Sequence, residues 1–239
     1  MIPKVLHQFW DKPALRDRHT AWVHSFDEYN PGWEHAIWTP DMIVRNADFA
    51  PIIPMIRDPL MPSTIKSDLF RHQVLYVHGG FYADMDCECL RSLDPLCTGE
   101  STGDSRVAPY VIGFEQEKDS RIQPAFCGTH FIGSVPGHDV SQTAVTEFVE
   151  NLNRHYDGPR VKFMDCWDML YTSGPQALTM ILKRWGIIPL PQDCFSPAAY
   201  LPRPATADLL ALDGPAYVFH HFDGLKPDGW TQQRDFLTK

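Results

Sequence analysis

Asp84-Met85-Asp86 is the acidic group best placed to do chemistry. It closes the run Phe81-Tyr82-Ala83, which follows Gly79-Gly80 and reads as a strand. Residues two apart on a strand share a face. Both carboxylates are therefore expected to point the same way, at the carboxyl end of a strand, where open α/β sheets bind ligands. Two acids held together repel each other unless a divalent cation neutralises them. Oxygen ligands select Mg²⁺ or Mn²⁺. A lone D-x-D is common by chance and an acidic turn in solvent is the bland alternative; the flanking pattern favours a metal site.

The residues just upstream add a second group. Thr64–His78 reads as a helix, capped by Ser63 or Thr64 and ended by Gly79 in a left-handed conformation. Ile65, Leu69, Phe70, Val74, Tyr76 and Val77 make it apolar around most of its girth. Lys66, Asp68 and Arg71 interrupt that surface. Asp68 and Arg71 are three apart and therefore neighbours. On a mostly buried helix, such a pair is expected to face a cleft, with Asp68 accepting from sugar or ribose hydroxyls and Arg71 holding phosphate or sugar. One glycine suffices to end a helix, so the second, Gly80, hints at a backbone that a ligand approaches closely.

Three weaker signals lie further off. Trp10 ends a first strand, Lys4–Trp10, where an indole can stack on a nucleobase. His220-His221 ends a late strand, Ala216–His220, and neighbours on a strand point to opposite faces. One of the two can then complete a metal shell or bind phosphate. Ser173-Gly174-Pro175 opens a helix, so its amides are either an anion site or an ordinary helix start. The sequence contains no P-loop, no G-x-G-x-x-G, no G-x-S-x-G and no H-E-x-x-H.

The remaining elements alternate between strand and helix. Trp22–Tyr29 reads as a helix, Trp33–Trp38 as a strand, and Thr39-Pro40-Asp41 as a helix start. Tyr110–Phe114 and Phe126–Gly133 read as strands, Asp139–Asn153 and Pro175–Trp185 as helices, and 98–107 as a loop. This is the α/β pattern. The chain has 239 residues, no linker rich in Gly or Ser and no repeat, so 1–239 reads as one domain. Its 21 prolines predict a loop-rich fold, and 14 Phe, 8 Tyr and 7 Trp supply a core. A net charge of −9 argues against a nucleic-acid partner. No apolar run is long enough for a transmembrane segment and the start is too polar for a signal peptide, so a cytoplasmic protein, free or peripheral to a membrane, is expected. The six cysteines form no C-x-x-C and are expected as free thiols.

From the residues alone, the expected chemistry is group transfer from a nucleoside diphosphate donor. Ile2-Pro3-Lys4-Val5-Leu6-His7-Gln8-Phe9-Trp10, then Lys66-Ser67-Asp68-Leu69-Phe70-Arg71, Leu75-Tyr76, Gly79-Gly80, Tyr82 and Asp84-x-Asp86, resemble the DXD-containing sugar-binding glycosyltransferases of family 32. These include Och1-like enzymes and, distantly, the catalytic domains of clostridial glucosylating toxins. Phe131–His138, Ser173-Gly174-Pro175 and His220-His221 match looser blocks, while Leu225 to Gly229 intervene before Trp230, unlike the usual pattern. The resemblance implies a GT-A fold, a Rossmann-like mixed sheet flanked by helices. It also implies transfer of a hexose or N-acetylhexosamine from a nucleotide-sugar donor (a UDP-sugar favoured, or GDP-mannose), Mn²⁺ or Mg²⁺, retention of configuration, and a glycan, lipid or protein acceptor, as in polysaccharide biosynthesis. It assigns Asp84, Asp86 and His220 to the metal, and Asp68, Arg71, Asp84 and Asp86 to catalysis. Donor binding falls to Gln8, Trp10, Lys66, Asp68, Arg71, Gly80, Tyr82, Asp84 and His220. The alternatives are a nucleotidyltransferase acting on a sugar phosphate and a non-catalytic nucleotide-sugar binding module.

Overall fold

The computed structural model describes residues 1–12, 14–98, 110–116, 126–155, 165–195 and 216–221. Most of the 98–107 loop and the tail with Trp230 therefore lie outside the described residues. A five-stranded mixed sheet has the order β2(Glu34–Trp38), β1(Val5–Phe9), β3(Gly80–Ala83), β6(Phe126–Ser134), β5(Tyr110–Gln116). β2, β1 and β3 are parallel; β6 runs antiparallel to both β3 and β5. Two short strands, β4(Cys87–Cys89) and β7(Val218–His220), pair antiparallel in a second sheet, with Cys87 opposite His220.

Both faces of the large sheet are covered, and alternation along its strands shows how. Tyr82, Tyr110, Ile112 and Ile132 belong to one buried cluster; Phe81, Ala83, Val111 and Phe131 belong to the other. The first cluster is filled by α4(Ser63–His78), α5(Asp139–His155) and α7(Pro175–Trp185). The second takes Phe26 from α1(Asp17–Tyr29). The shorter helices α2(Pro40–Val44), α3(Ile53–Arg57) and α6(Cys166–Thr172) complete the described set.

The chain leaves β1 for β2 through α1 on one face, then reaches β3 through α4 on the other. That reversal makes a crevice at the carboxyl ends of β1 and β3. Trp10 and Asp84 follow those two ends.

Three expectations give way. The α4 N-cap is Pro62, and the helix has no side-chain cap, because Ser63 donates its hydroxyl to Asp11 instead. Gly79 has a positive φ of 66° but an extended ψ of −158°, so the helix does not end in the left-handed helical region. The second glycine serves the sheet rather than a ligand: a Cβ on Gly80 would lie 2.5 Å from the Val5 carbonyl oxygen, and one on Gly79 would lie 2.6 Å from Pro136 Cδ.

Two buried histidines are held neutral. His7 Nε2 donates to Gly79 O at 3.1 Å and its Nδ1 accepts from Trp38 Nε1 at 3.2 Å, linking the β1–β2 pair to the end of α4. Burial lowers its pKa to about 4 against that Gly79 bond. His72 is fully buried, packs edge-on to Phe148, and neither ring nitrogen has a partner among the described residues. Burial, reinforced by Arg71, lowers its pKa from 6.5 to about 3. The folded state then binds fewer protons than the unfolded chain below pH 6.5, so stability is lost as pH falls. His72→Leu should raise the unfolding free energy at pH 7 by about 1–3 kcal/mol, the cost of an unpaired buried polar group. It should also flatten the loss between pH 7 and pH 5. Urea melts at both pH values test this, and a variant that is less stable at pH 7 with an unchanged acid slope would refute it.

Candidate active site

Arg71 sits at the centre of the site. Asp68 and Arg71 are each 2% exposed, so the pair lies inside the protein rather than along an open cleft wall. Arg71 Nη1 reaches Asp68 Oδ1 at 2.9 Å. Its Nη2 donates to Asp84 Oδ1 at 3.0 Å and to Ser67 Oγ at 2.9 Å. The guanidinium lies over the Tyr82 ring, 4.9 Å from its centroid, a cation–π arrangement. Nε has no partner among the described residues. Burial works against the Arg71 charge, but Asp84, Tyr82 and Asp68 outweigh it and hold the pKa above its ordinary value. Burial pushes the Asp68 carboxyl up to about 7, against the pull of Arg71 and of Ser173.

Ser173 is the functional neighbour that pattern reading missed in this role. It is fully buried at the turn between α6 and α7, and donates from Oγ to Asp68 Oδ2 at 2.9 Å. A separation of 105 residues hides such a bond from any local pattern.

The two acids of the D-x-D do not share a strand face. β3 stops at Ala83, and Asp84 to Cys87 form a turn closed by Cys87 N–H donating to Asp84 O at 3.0 Å. Asp84 N–H still extends the ladder, donating to His130 O at 2.8 Å. Asp84 Oδ1 accepts from Tyr82 Oη at 2.7 Å as well as from Arg71. Asp86 lies on the other side of the turn, with Oδ1 3.2 Å from His220 Nε2. The β4–β7 pairing brings them together, and His221 N–H donates to Asp86 O at 2.8 Å. The pair His220-His221 is thus resolved. His220 faces Asp86 and stacks on His130, with centroids 4.4 Å apart, while His221 pairs with Glu88 at 2.9 Å and stacks on Trp22.

The donor set suits a divalent cation. One ligand atom each from Asp86, Cys87 and His220 lies within 4.8 Å of the others. Burial, and then Asp86 and Asp84, push the Cys87 thiol well above its ordinary pKa, and it donates to His130 O, so it is a poor ligand. A carboxylate and an imidazole remain, which fits Mn²⁺ well and Mg²⁺ less well. Asp84 keeps only Oδ2 clear of protein bonds among the described residues.

The remaining expected donor residues fall into two groups. Trp10 is half-buried beside the crevice, 5.0 Å from the His19 ring, and Lys66 is half-buried on α4. Gln8 is fully buried and reaches Asp84 O rather than open space; Tyr82 lies behind Asp84, and Gly80 is packed against Val5.

Ser173→Ala removes a donor from a buried carboxyl. It should cost about 2 kcal/mol of stability, the usual value for a hydrogen bond to a charged group. Ser173→Thr should keep most of it. Denaturant midpoints read both, and an unchanged midpoint for Ser173→Ala would disprove the link.

Comparison with known proteins bears on the sequence region and on the fold. Residues 16–102 match the model of the glycosyltransferase sugar-binding region containing the DXD motif. Inositol phosphoceramide mannosyltransferase 3 of Schizosaccharomyces pombe is 26% identical over 192 residues, covering 79% of this chain and 47% of the relative. Inositol phosphoceramide mannosyltransferase 1 of that yeast is 33% identical over 101 residues, covering 40% and 31%. The initiation-specific alpha-1,6-mannosyltransferase of Candida albicans is 24% identical over 202 residues, covering 74% and 51%. The chain thus spans about half, or less, of the length of these relatives. Among solved structures, the PaToxG glycosyltransferase superposes with a TM-score of 0.51 at 15% identity, over 77% of this chain and 70% of that one. The mixed sheet flanked by helices is of the GT-A type, and residues 16–102 resemble the sugar-binding region of the DXD-containing glycosyltransferases.

Proposed function

We propose that this protein is a metal-dependent, retaining glycosyltransferase that moves a hexose from a nucleoside-diphosphate sugar to an acceptor hydroxyl. The observation that carries the reading is the D-x-D turn. One of its acids is bound to a buried arginine and the other is set against a histidine, at the carboxyl ends of β1 and β3. The relatives' names support mannose as the sugar, so GDP-mannose ranks beside the UDP-sugars as donor. Inositol phosphoceramide, the acceptor named for two of those relatives, is the first acceptor to try, ahead of other lipids, glycans and proteins.

Asp86 and His220 would hold Mn²⁺ or Mg²⁺, with Asp84 Oδ2 in reserve. The cation, when bound, neutralises the diphosphate and so stabilises it as a leaving group. The chain's own contribution is positional. Arg71 is fixed by Asp68, Asp84 and Ser67, so it holds Asp84, and with it the D-x-D turn, in place before negative charge develops on the departing phosphate. Trp10 offers its ring face to the base at the neighbouring strand end. The gathered carboxylates are all engaged: Asp68 by Arg71 and Ser173, Asp84 by Arg71 and Tyr82, Asp86 beside His220. An inverting reaction needs a carboxylate to deprotonate the acceptor from the far face of the sugar. A front-face reaction can pass that proton to the leaving phosphate oxygen, which favours retention.

Transfer with GDP-mannose or a UDP-sugar should release a nucleoside diphosphate, stop with chelator and return with Mn²⁺. Asp86→Asn should fold and lose about three orders of magnitude in turnover, and Arg71→Lys about two, because one ammonium cannot span three partners. Release of pyrophosphate, or full rate in chelator, would overturn the assignment. The one-bond C1–H1 coupling of the product should report an α-linkage from an α-donor; a β-linkage would end the retaining mechanism.

A further inference from the structure

His220, the imidazole set against Asp86, rests on a second histidine. The His130 ring stacks on it, with centroids 4.4 Å apart and planes 16° from parallel. His130 is 2% exposed and sits on β6, between β3 and β5. Its Nε2 lies 3.1 Å from Phe195 O, so the ring is held at its edge as well as by packing. Its main chain serves the other acid. His130 O accepts from Asp84 N–H at 2.8 Å and from the Cys87 thiol at 3.6 Å. One residue thus meets both sides of the D-x-D turn: Asp84 through its carbonyl, and the partner of Asp86 through its ring.

The two rings are not equally fixed by their own strands. The torsion that turns an imidazole about its bond to Cβ has a broad well, so a histidine does not choose its ring plane by itself. The backbone of β7 is held by the neighbouring residue: His221 stacks on Trp22, with centroids 4.1 Å apart, and its Nε2 lies 2.9 Å from Glu88. The ring torsion of His220 is the freedom left to remove. Asp86 Oδ1, 3.2 Å from Nε2, meets the ring at its edge, and His130 meets it on its face. His130 itself is built into the five-stranded sheet and is the fixed member of the stack. A histidine that only fills the core looks different. His72 packs edge-on to Phe148 and, among the described residues, has no polar partner.

We propose that His130 is a positioning residue for the metal site: its ring is the platform that holds the His220 imidazole in plane against Asp86, while its carbonyl holds Asp84. One buried residue of β6 then sets the two halves of the site relative to each other. A flat face is what the platform needs, so an aromatic ring can replace the imidazole and an aliphatic side chain cannot. That Asp86 and His220 take a cation rests on the reading above. The platform is tested on the His220 ring as well as on the cation, so the two can fail separately.

His130→Phe keeps the flat face, and His130→Leu fills the space without one. Aromatic ¹H–¹³C spectra of the metal-free full chain with ¹³C-labelled histidine read the ring, with His220 assigned by its loss in His220→Gln. The His220 ring protons should lie upfield in the unmutated protein and in His130→Phe, and move downfield in His130→Leu. Affinity for Mn²⁺ alone, read from the free-ion electron spin resonance signal, should fall about tenfold in His130→Leu and stay within about twofold in His130→Phe. His220 ring protons without an upfield shift in the unmutated protein would overturn the proposal, whether or not His130→Leu folds. So would Mn²⁺ binding that is as tight in His130→Leu as in the unmutated chain, or that weakens as much in His130→Phe. An unmutated chain that binds no Mn²⁺, with the ring signals moving as expected, would support the platform and count against the proposed function alone.

Discussion

A guanidinium sealed inside the protein is the constraint from which the rest of the site follows. Arg71 cannot give up its proton, and burial would be costly unless opposite charges lay within reach. Its own helix supplies Asp68 and Ser67, three and four residues back and so on the same face. The turn after β3 supplies Asp84, and β3 itself supplies the Tyr82 ring. Asp68, now buried, needs a second donor, and the α6–α7 turn brings Ser173. Three distant stretches of chain are thus fixed by the need to surround one charge. Removing any partner leaves a buried charge exposed to the others, which is why the group acts as a unit.

The sheet sets where that charge lies. Gly79 and Gly80 let α4 turn directly into β3 while β3 lies tight against β1 and the 134–136 segment. With no residue to spare between helix and strand, Arg71 on α4 and Asp84 after β3 keep a fixed separation. The crossover from β2 to β3 passes over β1, so the ends of β1 and β3 border the same crevice. Trp10 and the D-x-D turn are side by side for that topological reason.

Local patterns make the longer helices and most strands legible in the sequence. Apolar spacing marked α4, α5 and α7, and alternation or apolar runs marked β1, β2, β3, β5 and β6, each to within a few residues. The start of α1 escaped because Asp17-Arg18-His19-Thr20-Ala21 carries no apolar periodicity; α3 and α6, five and seven residues long, are too short to show one. At the site, Asp68, Arg71, Asp84 and Asp86 stood out because a mostly apolar helix and strand make charges conspicuous. The bond from Ser173 to Asp68, the stacking of His130 on His220 and the reach of Gln8 to the Asp84 carbonyl did not, because each is a contact across the fold.

The turn after β3 also changes what the D-x-D is. Had β3 run on through Asp86, both carboxylates would lie on one face, repelling each other unless a cation sat between them. Ending the strand at Ala83 sends them to different partners. Asp84 faces inward and is neutralised by Arg71, with Tyr82 adding a hydrogen bond; Asp86 faces the β4–β7 sheet and His220. The repulsion is relieved with or without a metal, so the turn can be ordered before any cation or diphosphate arrives. A site assembled in advance loses less on binding than one that must order itself around its ligand. The middle residue of the motif explains how the turn stays put. Met85 is 5% exposed, so the tip that carries both acids is anchored by an apolar side chain at its centre. The motif then divides into parts that ordinary forces maintain independently: a charge pair on one side, an apolar anchor in the middle, and on the other side a carboxylate and an imidazole whose shared attraction is for a cation.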